Sequence, residues 1–258
     1  MNKERKNKVK KIFKIIYVLL FVLMAVFCFC KAYEIKKEQG KIKEEQNELI
    51  EIAEIPEKEE EIEEKKNEIN FQELININSD FVGWIKINDT NINYPIVQGT
   101  NNTYYLKHSF YKEYSNAGSI YMDATANSNF ESKNTFIYGH YTSDGSMFGQ
   151  LGKYMKQDFY NNHKEIYIYT ANQNYKLEIF SVHVDKASSK SYQMNFTSEE
   201  AYKEYIDLMK SYSVIKSDVE IDYTKDRIVT LYSCSHERGH AKDDRYFIHA
   251  KLINLNEW

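Results

Sequence analysis

Residues 227–234 read Arg-Ile-Val-Thr-Leu-Tyr-Ser-Cys, and residues 235–240 continue as Ser-His-Glu-Arg-Gly-His. β-Branched and aromatic residues dominate the first segment and favour a strand. Polar residues with a glycine favour a loop in the second. Cys234 is therefore predicted to lie where a strand ends and a loop begins. A structural cysteine would more often lie inside the apolar run, so this position favours a reactive thiol.

Seven further segments have the same strand-like composition. Their apolar residues alternate with polar ones or form short continuous runs, without regular intervening helices. They cover residues 82–87, 92–97, 119–122, 135–138, 165–169, 175–184 and 246–253. Eight short strands favour an antiparallel barrel or sandwich over a parallel sheet with crossover helices. The predicted fold class is mainly β.

Two segments between the strands have helical periodicity. Residues 148–161 and 198–212 each place apolar side chains on one face, as core-facing helices do. Thr197 with Glu200 has the pattern of a capping box at the start of the second helix. We expect both helices to flank the β-structure.

The composition and net charge limit the kinds of partner that the chain is expected to bind. The chain has 258 residues, of which 42% are hydrophobic and 15% aromatic, enough to fill a core. Its formal net charge is −4. Since no strongly basic region emerges, nucleic acid is not an expected partner. With only nine glycines and two prolines, a long disordered linker is not expected either.

The N-terminal segment has the pattern of a membrane anchor. Residues 1–11 contain six basic side chains, and residues 12–30 are apolar except for Lys14. A run of this length spans a bilayer as a helix. Basic residues before the span predict a single-pass protein of the cell membrane, with residues 1–11 cytoplasmic and the rest outside. The alternative is a cleaved signal peptide, but the run is long and no small-residue cleavage site follows it.

Residues 31–70 are dominated by Glu and Lys. Apolar residues recur there at seven-residue steps, which predicts a solvated helical stalk with one narrow apolar stripe. Pro56 is expected to divide the stalk into two helices. Its end could cap the globular domain, which we assign to residues 71–258.

A cysteine nucleophile needs a partner that stabilises its thiolate. His140 also stands at a predicted strand end, after Asn134-Thr-Phe-Ile-Tyr-Gly, and is the leading candidate. His236 and His240 lie in the charged loop beside the cysteine, where we expect solvent exposure. Arg245 opens the last strand, and its guanidinium could donate to a carbonyl oxygen that gains negative charge. The alternative for Arg245 is a salt bridge with Asp243 or Asp244.

These three segments together resemble one family. Thr230-Leu-Tyr-Ser-Cys234 resembles the Thr-Leu-x-Thr-Cys signature of sortases, and Asn134-Thr-Phe-Ile-Tyr-Gly-His140 resembles the strand that carries their histidine. Arg245 follows the cysteine by 11 residues, as the family arginine does. The helix at 198–212 and the segments 118–123 and 147–151 are similar to class B members. The resemblance covers residues 71–258 and implies the eight-stranded sortase-type β-barrel with flanking helices.

The resemblance also implies a function. Cys234, His140 and Arg245 would form the catalytic site of a cysteine transpeptidase, with no cofactor and no metal. The enzyme would cleave secreted proteins after the threonine of a C-terminal sorting motif of the Asn-Pro-x-Thr-x type. It would transfer them, through a thioester, to an amine of a peptidoglycan peptide.

Four further residues are expected to bind the substrate by position: Asn102, Tyr192, Tyr232 and Ser233. Two of them depart from the family pattern. Ser233 replaces the usual threonine but keeps a hydroxyl, and Tyr232 is bulkier than the small residue often found there.

Three alternatives stay open at this point. A sortase that polymerises pilin subunits would use a lysine of a partner protein as the acceptor. A Cys/His cell-wall hydrolase would use the same nucleophile but release free peptide. A non-enzymatic, membrane-anchored binding module could hold zinc with Cys234, His236, His240 and His249, although their spacing matches no common zinc site.

Overall fold

The computed structural model describes residues 3–53, 70–234 and 241–255. The chain forms two compact units, residues 1–45 and 46–258. Helix α1 (Lys3–Ala53) runs through the first unit into the second. The helix predicted for the anchor and stalk is therefore confirmed up to Ala53. The predicted break at Pro56 lies outside the described residues.

In the first unit, the helix from Asn7 onward is long and apolar enough to cross a membrane by length and composition. None of the side chains in its most apolar window is buried by protein. An open apolar helix of this length suits the hydrocarbon core of a bilayer. The predicted anchor, residues 12–30, falls within it.

The second unit is built on a closed barrel of eight strands in the order β1-β2-β3-β4-β7-β8-β6-β5. The eight-stranded barrel predicted from the sequence is confirmed. The strands are β1 (Phe81–Lys86), β2 (Asn93–Val97), β3 (Ile120–Met122), β4 (Asn134–Tyr138), β5 (Glu165–Tyr169), β6 (Asn174–Lys186), β7 (Arg227–Cys234) and β8 (Asp244–Asn254).

The expectation of a wholly antiparallel barrel is wrong for two of its strand pairs. β2 with β3 and β4 with β7 are parallel. Parallel neighbours need a long crossover connection, which residues 98–119 and 139–226 provide. Alternating apolar residues occur in either pairing, so the sequence pattern could not tell the two directions apart.

The other helices within the described residues are all shorter than α1. They are α2 (Phe71–Ile77), α3 (Gln157–Asn162) and α4 (Glu199–Tyr212), with 3-10 turns at Tyr104–Leu106 and Leu151–Met155. The helix predicted over 148–161 is divided because Lys156 adopts an extended conformation. The N-cap of α4 is Ser198, whose side chain accepts from the Ala201 N–H, so the cap predicted at Thr197 is wrong by one residue.

The last two turns of α1 belong to the second unit. Leu49 and Ala53 are buried there in a cluster with Leu74 and Trp84. The Gln46 side chain donates to backbone carbonyls of the segment that leads into β2. Residues 46–53 therefore pack on the barrel, although the sequence pattern continues that of the stalk. The folded unit therefore includes the end of α1, and the full-length chain is the suitable form for activity and stability measurements.

Two buried histidines lie on neighbouring strands, His183 on β6 and His249 on β8, with ring centroids 5.3 Å apart. Thr230 Oγ1 donates its one hydrogen to Asn134 Oδ1 at 2.8 Å, so His249 Nδ1 must donate to Thr230, also at 2.8 Å. Burial lowers the pKa of His183 to about 4 and that of His249 well below its ordinary value. Both rings are therefore neutral in the folded protein at pH 7.

Acid is expected to destabilise the fold as the pH falls from 6.5 towards 4. In that interval the unfolded chain binds a proton at His183 and the folded chain does not. The free energy of unfolding therefore falls by ~1.4 kcal/mol per pH unit from His183, or ~3 kcal/mol in all. Above pH 6.5 this stabilisation is fully present. Denaturant unfolding of the full chain in detergent, followed by fluorescence of the buried Trp84, measures the effect.

The control for this pH dependence is a second histidine. His183→Gln should show a shallower slope of unfolding free energy against pH. His163→Gln, which changes a half-exposed histidine outside the core, should keep the wild-type slope. Equal slopes in His183→Gln and wild type would contradict the assignment.

Candidate active site

The end of β7 and the start of β8 bring Cys234 and Arg245 together. The two residues are direct partners in the antiparallel register, and side chains opposite each other in such a pair share one face of the sheet. Both side chains are half-buried, so a substrate could reach them. The predicted proximity of the cysteine and the arginine therefore follows from strand pairing alone.

Arg245 is held by backbone carbonyls and an aromatic ring. Its Nη1 donates to the carbonyl oxygens of Lys242 at 3.0 Å and Asp244 at 2.8 Å. Its guanidinium carbon lies 6.0 Å from the centroid of the Tyr232 ring. The side chains of Asp243 and Asp244 instead bind Lys186 at 2.9 and 2.5 Å. This arrangement disfavours the salt-bridge alternative for Arg245.

His140 reaches the same place from the other side of β7. Tyr138 of β4 pairs with Tyr232 of β7, and the next N–H, that of Gly139, donates to the Tyr232 carbonyl at 3.2 Å. His140 follows Gly139 directly, two residues beyond the end of β4. Neighbouring strands are about 4.8 Å apart. The strand ends that precede His140 and carry Cys234 are thus neighbours, and the end of β7 is paired in turn with the start of β8 at Arg245.

A backbone carbonyl distant in sequence holds the histidine ring. His140 Nε2 lies 2.8 Å from the carbonyl oxygen of Leu106, which can only accept, so Nε2 carries a proton. The preceding residue must be glycine, since a Cβ at Gly139 would lie 2.5 Å from Ile120 Cδ1 and 2.6 Å from Phe148 Cδ2. The order Tyr-Gly-His therefore reflects close packing under the histidine.

Aromatic rings, most of them buried, cluster next to the thiol and are here called the aromatic floor: Tyr121, Tyr138, Tyr192, Tyr232 and Phe247. Within it, Tyr232 packs against Tyr138, Phe247 and Tyr192 with centroid distances of 5.4, 5.1 and 5.7 Å. Burial first, and then Tyr192, Tyr232, Asp123 and Cys234, raise the pKa of Tyr121. Tyr232 stands two residues before Cys234 on β7 and so on the same face of the strand, which brings the aromatic floor up to the thiol.

The structure brings together three of the four residues predicted to bind substrate. Tyr192 and Tyr232 belong to the aromatic floor, and Asn102 is joined to it through Asp123. Ser233 is the exception. Its side chain is 1% exposed, on the face of β7 opposite to Cys234, because successive residues of a strand alternate. The Ser233 side chain therefore faces away from Cys234, and the structure does not place it with the other three predicted residues.

Comparison with known proteins agrees with this geometry. The sequence profile of the sortase domain family matches residues 85–253. The chain belongs to the sortase family. Sortases are cysteine transpeptidases, so this sortase is an enzyme of that class. The hydrolase and binding-module alternatives are thereby set aside.

Sortase B proteins are similar along nearly the whole chain. Sortase B of Listeria monocytogenes is 35% identical over 91% of this chain and 95% of its own length. Sortase B of Staphylococcus aureus is 32% identical over 96% of this chain and 100% of its own length. A solved S. aureus sortase B–substrate complex superposes with a TM-score of 0.73, covering 86% of this sortase and 99% of that chain, at 32% identity. The predicted class B-like resemblance is confirmed.

Sequence reasoning missed several residues of the sortase site. Asp123 is fully buried beneath the aromatic floor, and Tyr138 contacts its carboxylate. Leu106 binds His140 through its carbonyl. Of these residues, only Tyr138 could have been placed near His140 from the sequence. It stands two positions before His140 in a strand-like segment, and such residues share a face.

The described part of the sortase contains no group of three or more His, Cys, Asp or Glu side chains arranged to hold a metal ion. His236 and His240, two ligands of the zinc alternative, lie outside the described residues. His249 is fully buried against Thr230. A polar cleft of about 560 Å³ lies at the opposite end of β7 and β8, lined by Arg227 and Asn254 among others, and includes none of the predicted site residues.

Proposed function

We propose that Cys234 is the nucleophile of this sortase, His140 its acid and base, and Arg245 the group that stabilises the oxyanion. The observation that carries the proposal is the register that sets Cys234 opposite Arg245, while the strand that leads to His140 pairs with the other side of β7. A thiolate flanked by a histidine and a fixed guanidinium is suited to acyl transfer.

In the first half-reaction the Cys234 thiolate attacks the threonine carbonyl carbon of the sorting motif. Negative charge moves onto the carbonyl oxygen, towards which Arg245 donates. The C–N bond then breaks as His140 gives a proton to the leaving amine. A thioester to Cys234 and a free C-terminal fragment result.

In the second half-reaction an amine of a cell-wall peptide attacks the thioester carbonyl. His140, now neutral, takes a proton from that amine, and Arg245 again faces the oxyanion. The C–S bond breaks, the Cys234 thiolate is restored and a new amide joins the secreted protein to the acceptor. Transfer prevails over hydrolysis when the amine reaches the thioester ahead of water.

The anchor and stalk favour transfer to the amine over hydrolysis by water. We infer that residues 1–11 are cytoplasmic and that the barrel lies outside the cell, since basic residues precede the span. A tethered enzyme meets exported substrates and wall precursors at high effective concentration. The proposed partners are secreted proteins bearing a sorting motif, a peptidoglycan peptide amine and the membrane.

The proposed motif is of the Asn-Pro-x-Thr-x type, supported by the sortase B relatives at 32–35% identity. Full-length enzyme in detergent should cleave a fluorogenic Asn-Pro-Gln-Thr-Asn peptide with a kcat/KM about tenfold or more above that for Leu-Pro-Glu-Thr-Gly, a difference of ~1.4 kcal/mol. Peptides with alanine in place of threonine are the matched controls. Preference for the Leu-Pro-Glu-Thr-Gly peptide would contradict this motif.

A further inference from the structure

Asp123 directly follows β3 and its side chain is fully buried. Its Oδ1 accepts from the Thr125 N–H at 2.8 Å and the Thr125 hydroxyl at 2.6 Å. Its Oδ2 accepts from Tyr138 and Asn102, both at 2.6 Å. Thr125 lies in the same turn, whereas Tyr138 and Asn102 come from other parts of the site. One buried carboxylate therefore ties three segments of chain together.

Two hydrogen-bond chains lead from this carboxylate to Tyr192 and to Asn102. Tyr138 has one hydroxyl hydrogen and donates it to Asp123. The hydroxyls of Tyr138 and Tyr192 lie 2.6 Å apart, so Tyr192 must be the donor in that hydrogen bond. Asn102 donates to Asp123 and accepts from the Ala124 N–H at 2.7 Å. The positions of Tyr192 and Asn102, both predicted to bind substrate, thus depend on Asp123.

The negative charge on Asp123 keeps its hydrogen-bond donors in one arrangement. Burial acts to raise its pKa, but hydrogen bonds from Thr125, Tyr138 and Asn102 outweigh burial and hold the pKa below its usual value. The carboxylate is therefore ionised at neutral pH. A buried charge needs its full set of donors, which here are all neutral groups. The donors cannot turn away without leaving that charge unpaired.

We propose that Asp123 is a positioning residue that fixes the sorting-peptide groove through Tyr138 and Asn102. The inference rests on the proposed function of Cys234. The groups that Asp123 holds act on peptide binding, whereas Cys234, His140 and Arg245 act on the scissile bond. Loss of the network should therefore raise KM and leave kcat and the reactivity of the thiol nearly unchanged.

The test compares Asp123→Asn and Tyr138→Phe with wild type, as full-length chains in detergent cleaving the Asn-Pro-Gln-Thr-Asn peptide. Tyr138→Phe keeps the ring and the carboxylate but removes the link to Tyr192. We expect KM to rise about tenfold in both variants, with kcat within about twofold. Alkylation of Cys234 by iodoacetamide, followed by peptide mass, should proceed at the wild-type rate.

Tyr167→Phe is the matched control. The Tyr167 hydroxyl also donates to a carboxylate, that of Glu165, at 2.8 Å. Both residues are on β5, which lies on the opposite side of the barrel from β4. The KM of Tyr167→Phe should equal that of wild type. An unchanged KM in Tyr138→Phe, or an equal rise in Tyr167→Phe, would overturn the proposal even if Asp123→Asn fails to fold. Absence of cleavage by wild type would instead overturn the proposed motif, and this inference with it.

Discussion

Cys234→Ala is expected to abolish cleavage of the sorting peptide, lowering kcat/KM by about 10⁴-fold or more, because no other group in the site can form the thioester. The substitution removes one sulfur atom from a half-buried position at the end of β7, so the fold should be retained. Release of a fluorescent fragment by the full-length chain measures the loss.

The chain supplies its own controls for this substitution. Cys28 and Cys30 lie exposed on α1, within the predicted anchor. Cys28→Ser and Cys30→Ser should each retain wild-type kcat/KM. If Cys234→Ala keeps a kcat/KM within tenfold of the wild-type value, Cys234 is not the nucleophile, whatever the other variants show.

Arg245→Ala is expected to lower kcat by about 10²–10³-fold, the usual effect of removing one oxyanion donor. KM should change little, because the oxyanion forms only as the reaction proceeds. Arg245→Lys should recover little of the loss, since an ammonium group lacks the planar set of donors that backbone carbonyls and Tyr232 hold in place here. Steady-state kinetics on the same peptide give both parameters.

Arg227→Ala is the matched control for Arg245. Arg227 is an exposed arginine at the other end of β7, and its loss should leave kcat unchanged. If Arg245→Ala keeps more than a tenth of wild-type kcat, stabilisation of the oxyanion must come from backbone N–H groups instead.

The strands were predictable because each carries its own signal. Predicted and observed ends agree within about two residues, and the 165–169 strand agrees at both ends. Cys234, His140 and Arg245 could be singled out from the sequence as the proposed catalytic residues, since each stands at or just beyond the end of a strand in a recognisable segment. The burial of Ser233 follows from the alternation of a strand once Cys234 faces the groove.

The parts that sequence did not predict depend on contacts distant along the chain. Asp123 gains its role only when β4 and the loop at Asn102 close over it, at separations of 15 and 21 residues. No local pattern distinguishes such a carboxylate from an exposed one. The packing of Leu49 and Ala53 on the barrel could not be predicted from the sequence either. Their helix has the same heptad pattern inside and outside the second unit.

Tyr232 is a feature of this chain that bears on specificity. Its ring packs against Tyr138 and Phe247, and Arg245 lies over it. A small residue at this position would leave space beside the thiol and remove an aromatic contact of the guanidinium. Tyr232 therefore both fills space beside the thiol and contacts the arginine.

The most direct test of the mechanism is mass spectrometry of the full-length chain mixed with the Asn-Pro-Gln-Thr-Asn peptide. The account predicts an adduct with the mass of the fragment ending in threonine less one water, located on Cys234 and absent from Cys234→Ala. Adding an amine acceptor should remove the adduct and yield the transfer product. Cleavage of the peptide with no adduct, or with an adduct on another residue, would contradict acyl transfer through Cys234.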